Sequence, residues 1–93
     1  MQHGSLPAGL TLQRTTDEFD AMSVPAGLLR SHRIAPGVWG ALEVTAGTAA
    51  FVWEDQPDIP VVLAAGDSLV IPPGVLHHVE PGPDARFRVS FHR

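Results

Sequence analysis

Two histidines and the breaks around them are the residues of this chain best placed to do chemistry. His77 and His78 follow a Pro72-Pro73-Gly74 break, and a Gly66 turn lies one short apolar run upstream, giving the spacing G-x5-P-x-G-x2-H. Period-two alternation through 75–79 puts Val75, His77 and Val79 on one face. The loop re-aims the chain so that an imidazole enters a strand from inside. A neutral imidazole there can ligate a metal or move a proton. A histidine on an apolar face can also be a core group bonded to a backbone carbonyl. The Pro-x-Gly-x-x-His loop and its matching glycine weigh toward the functional role.

His32 is the natural partner. It lies between the breaks Val24-Pro25-Ala26-Gly27 and Pro36-Gly37, and Leu28 and Ile34 share its expected face. Two imidazoles from separate strands converging inside a small barrel would suit a divalent ion such as Zn, Ni or Fe. The bland alternative is a surface histidine between Arg30 and Arg33. Glu80 is the preferred third ligand, with His78, Glu43 and His92 behind it. Strict alternation sends Glu80 and His78 away from His77, so Glu80 needs a bulge near Pro81 to turn inward. Arg30 and Arg33 could hold an anion in bidentate fashion. Trp39 and Trp53 are aromatics for a core or a pocket wall, and Trp39 joins Arg30 as a candidate ligand-binding residue.

Composition narrows the rest. The chain has 93 residues, a length for one domain (1–93), with 44% hydrophobic residues and no cysteine. Thiolate sites and thiol redox chemistry are therefore excluded. A net charge of −4 argues against nucleic acid as a partner, and no apolar run is long enough for a membrane helix. The Met1–Ser5 start lacks the features of a signal peptide, and a cytoplasmic location is expected. All six basic residues are arginine, which removes Schiff-base lysine chemistry. Ser31, Ser68 and Ser90 have no nucleophile-elbow context.

Nine glycines and nine prolines, spread without a low-complexity run, predict many short elements. Strands are expected over 10–15, 28–34, 38–46, 49–54, 59–63, 68–71, 75–79 and 86–92, with a turn of helix near Thr15–Asp20. Gly47-Thr48 reads as a hairpin turn, 59–63 as fully buried, and 86–92 as a central or well-paired strand with Phe87, Val89 and Phe91 inward. The fold class is all-β, a sandwich or barrel.

The 66–81 stretch resembles the second conserved motif of the cupins, small jelly-roll β-barrels that often hold one metal ion. Where cupins usually carry Asn four residues after the histidine, this chain has Pro81. The first cupin motif is degraded. No His lies two places from His32, and the position of the usual glutamate, seven residues before Gly47, is Gly40. Taken with 24–40, Leu6-Pro7, Arg14-Thr15 and the closing Arg86-Phe87 strand, the chain resembles the TehB/YeaR-like domains, small cupins associated with tellurite-resistance proteins. The resemblance implies His32 and His77 as recurring histidines and Glu80 as the carboxylate after the second motif. It implies a single-domain cupin binding a divalent metal and a small molecule or anion, paired as a homodimer. A cupin-type dioxygenase or isomerase and a metal-free binding module are the alternatives.

Overall fold

Turn residues divide the chain before packing does. In the computed structural model, which describes residues 1–93, nine strands and one turn of 3-10 helix occupy the segments between breaks. The strands are β1 (Gln2–His3), β2 (Leu12–Thr15), β3 (Phe19–Asp20), β4 (Trp39–Ala46), β5 (Thr48–Trp53), β6 (Val61–Ala64), β7 (Ser68–Ile71), β8 (His77–Pro81) and β9 (Arg86–His92). The larger sheet has the order β1-β7-β4-β9-β2, with β3 also on β9, and the smaller is β6-β5-β8. No helix is long and apolar enough to cross a membrane.

The all-β expectation holds, and the closed barrel does not: the strands form two separate sheets. The larger sheet ends in the two-residue β1 on one side and the short β2 and β3 on the other, too little ladder to carry the pairing round to the smaller sheet. The inward residues of both sheets meet in one core, with Leu42 and Val44 of β4 and Phe87 and Val89 of β9 facing Phe51 of β5 and Leu63 of β6. β9 pairs with β4, β2 and β3, the well-paired position expected of it.

Gly47 is where the two sheets join. It connects β4 of one sheet to β5 of the other, so the expected hairpin is a corner. Its φ is +65°, and a Cβ there would lie 2.5 Å from the Asp84 carbonyl oxygen, so only glycine fits.

Three local expectations change. Residues 28–34 are not a strand: Pro25 at φ −59° starts the 3-10 turn Ala26–Leu29, closed by the Leu28 N–H on the Pro25 carbonyl at 3.0 Å. The segment near Thr15–Asp20 forms no helix. Phe19 and Asp20 pair with Phe87 and Arg86, and the Asp20 carboxylate accepts the Met22 and Ser23 amides in a tight turn. The 59–63 run is not fully buried, because β6 is an edge strand with one inward face. Leu63 is sealed, while Ile59 and Val62 are exposed.

Candidate functional site

His32 and His77 are brought together. Their backbones exchange two hydrogen bonds of 2.9 Å, an isolated antiparallel bridge that ties the 30–38 loop to the start of β8. The rings lie on the same side with centroids 4.2 Å apart, edge to face. Phe51 stacks on His77 at 5.0 Å and Trp53 stands edge-on at 6.2 Å. His77 is 1% exposed; His32 is half-buried and faces the cleft.

The tautomers follow from the acceptors. His77 Nδ1 is 2.9 Å from the Val75 carbonyl and His32 Nδ1 is 3.1 Å from the Arg30 carbonyl. A carbonyl only accepts, so each Nδ1 carries a proton, which in a neutral ring leaves the lone pair on Nε2. No fully buried side-chain nitrogen or oxygen lacks a partner. Nε2 of His77 makes no hydrogen bond within the protein. Burial holds the His77 pKa below the usual histidine value, against the opposing pull of the Val75 hydrogen bond. The ring is therefore neutral at pH 7.

Beside the pair lies a cleft of two adjoining cavities, about 500 and 440 Å³, that share Arg14, Leu28, His32 and Phe91. The first is walled by Phe19, Pro25 and Val89; the second adds Arg33, Arg93, Ile34 and Val38. Arg14 lies over the Phe91 ring at 4.8 Å. The five ion pairs engage only Arg86 and Arg88 among the arginines, so Arg14, Arg33 and Arg93 reach the cleft without a carboxylate partner. Arg14, Arg93 and Phe91 carried no sequence signal for a site. β2 and the chain end are distant in sequence from both histidines, and only the β2–β9 pairing brings them near.

The profile of the TehB-like domain matches residues 14–89. The chain belongs to the TehB-like domain family. This TehB-like domain is similar to a structural-genomics target from E. coli strain K12, with a TM-score of 0.87 and 26% identity over 96% of this chain and 95% of that one. It is similar in fold to TehB from Haemophilus influenzae, with a TM-score of 0.80 and 19% identity, covering 89% of this chain and 31% of that one. A cupin-2 domain protein from Shewanella frigidimarina is more distant, with a TM-score of 0.57 and 20% identity over 92% of this chain and 72% of that one. Among curated proteins none matches.

The other expected site residues of the TehB-like domain lie elsewhere. Glu80 is exposed and bonds His78 Nε2 at 2.8 Å. Alternation along β8 holds, no bulge turns Glu80 inward, and the structure does not bring it to His77. His78 is clamped between Glu80 and Glu54, and these bonds, that of Glu54 first, raise its pKa above the usual value. Trp39 and Glu43 alternate with the buried Gly40 and Leu42, so they lie on the outer face of β4. Trp39 is opposite His92, and Glu43 pairs with Arg88. Arg30 is exposed and lines neither cavity; it meets the site through its carbonyl on His32.

As a metal centre the TehB-like domain supplies the right donor chemistry and too few donors. The carbonyl-bonded Nδ1 atoms are the usual support for a ligating imidazole. No group of three His, Asp or Glu side chains is arranged to hold a metal ion. The reason shows at Gly40, the degraded glutamate position. A Cβ there would lie 2.7 Å from Ile34 Cδ1, so Ile34 fills the space a carboxylate would need.

Proposed function

We propose that this TehB-like domain binds a small anion in the cleft beside His32. One observation carries the reading. In a chain of net charge −4, three arginines without ion pairs converge with His32 on a single concave site. Guanidinium groups are the side chains best suited to carboxylate and oxyanion ligands. The family's association with tellurite resistance makes tellurite and selenite the first oxyanions to try. Titration followed by amide and histidine NMR shifts tests it. Anions should move the His32 and Arg14 signals, and Arg14→Gln and Arg33→Gln should each weaken binding about tenfold. Absence of any shift at millimolar anion would remove the reading.

A second reading, a divalent ion on His32 Nε2 and His77 Nε2, is favoured by the two prepared lone pairs. The ion would take its remaining ligands from water or the bound anion. Metal analysis of untagged protein and of His32→Ala and His77→Ala decides it, with stoichiometric metal lost in both variants as the supporting result. A cupin-type oxygenase would need at least three protein ligands, as in a two-His, one-carboxylate site, so we propose no reaction step. Pairing of two copies along an exposed edge such as β6 completes the reading, and sedimentation measures it.

A further inference from the structure

We infer that the cleft selects an organic acid with an apolar body over an inorganic oxyanion. This inference rests on the anion-binding reading and specifies its ligand. The two cavities differ in chemistry. The second holds Arg33 and Arg93, and Arg14 stands at the junction with its guanidinium over Phe91. The first is walled by Phe19, Leu28, Val89 and Phe91, and its one ionisable group apart from the shared Arg14 and His32 is Asp17.

A ligand spanning both cavities has its orientation fixed by these charges. Its carboxylate sits among the arginines. Its apolar body lies against Leu28, Phe91 and Phe19, where a ring would remove aromatic and aliphatic surface from water. Reversal would place the carboxylate beside Asp17, which repels it. Each cavity has the volume of an ordinary small-ligand site, far more than a bare oxyanion fills. A tetrahedral or pyramidal oxyanion satisfies the arginine end and leaves the apolar end wet. The same Asp17 charge disfavours a second anionic group at the far end, so monocarboxylates are preferred to dicarboxylates.

The experiment titrates the full chain with four probes: 3-phenylpropionate, acetate, selenite and 3-phenylpropan-1-ol. Calorimetry gives affinities and amide shifts give location. The expected result is 3-phenylpropionate bound at least about tenfold tighter than acetate or selenite, the difference a buried ring supplies. Leu28→Ser should remove most of that advantage, weakening 3-phenylpropionate far more than acetate. Arg33→Gln should weaken both carboxylates. Dispersed amide spectra establish that each variant is folded. Equal affinity for 3-phenylpropionate, acetate and selenite overturns the amphiphile inference and leaves the anion site standing. Binding of the alcohol as tightly as the acid, or no binding by any anion, overturns both.

Discussion

The backbones of His32 and His77 exchange hydrogen bonds at 2.9 Å in both directions, and this bridge sets their rings 4.2 Å apart. His32 therefore sits where the cleft meets the aromatic cluster of His77, Phe51 and Trp53. The loop that carries His32 has no ladder of its own; this bridge, the Gly74 N–H on the Ile34 carbonyl at 3.0 Å and the buried Ile34 side chain hold it. Loss of the His77 side chain should loosen the loop as well as empty the core. His77→Ala is expected to cost about 2–4 kcal/mol by leaving a cavity beside Phe51. His77→Phe should recover most of it, because the stacking partner returns without the ring nitrogens. Urea unfolding of the two variants measures this; an alanine variant as stable as wild type would show that the ring does not support the core.

The two histidines of β8 should titrate on opposite sides of 6.5, the ordinary histidine value. His77 is held below it by burial and His78 is held above it by Glu54 and Glu80. For His78 the folded pKa is raised, so its contribution to stability is fully present below 6.5 and is lost as pH rises through the folded value. For His77 the folded pKa is depressed, so the unfolded chain takes up the proton first and stability falls as pH drops below 6.5. The two effects act in adjacent pH windows, His78 above 6.5 and His77 below it. His78→Gln should abolish the stability loss as pH rises above 6.5 and leave the His77 loss below 6.5 in place. Histidine-ring NMR titration of both proteins reads the two pKa values directly, and a shared titration midpoint would contradict the assignment.

Gly40→Glu should destabilise the fold by about 2–3 kcal/mol, because its side chain collides with Ile34 Cδ1. Coupled with Ile34→Ala, the same glutamate gains space beside the histidine pair. The double variant should bind a divalent ion more tightly than wild type, by tenfold or more, since it adds a carboxylate to two imidazoles. Zinc titration of wild type, single and double variants makes the comparison. Equal affinity in all three would mean that Gly40 does not face the histidine site.

Gly47→Ala should lower the melting temperature by about 10 °C or more. The substitution forces a Cβ to 2.5 Å from the Asp84 carbonyl and places a side chain at φ +65°. Together these cost about 2–4 kcal/mol, and each kcal/mol shifts the midpoint by roughly 4–8 °C in a domain of this size. Gly74→Ala is the control. Its φ is also positive, at +77°, but nothing lies within 4 Å of its Cβ position, so it should show only the smaller backbone penalty.

Much of this arrangement is local and therefore readable from sequence. Alternation placed Phe87 and Val89 inward on β9, Leu42 and Val44 inward on β4, and His77 inward with Val79 on β8, because a strand side chain alternates whatever the strand pairs with. The same rule sent Glu80 and His78 outward, and the structure follows it over the more hopeful inward Glu80. Misreadings came where local signals left the global choice open. Gly47 marks a sharp turn in either case, and a tight turn reads the same whether it closes a hairpin or carries the chain to a second sheet. The 59–63 run is apolar enough for a two-sided burial, but edge position is a property of the sheet and not of the segment.

The sequence by itself determined the strand faces, the breaks between strands, the histidine loop and the family. These depend on backbone geometry and residue type within a few positions. Tertiary structure alone decided that the sheets stay open, that Ile34 occupies the place of a carboxylate at Gly40, and that Arg14, Arg33 and Arg93 meet beside His32. Each depends on contacts between segments distant in the chain: pairing of β2 with β9 brings Arg14 and Arg93 together, and the His32–His77 bridge sets Arg33 beside them.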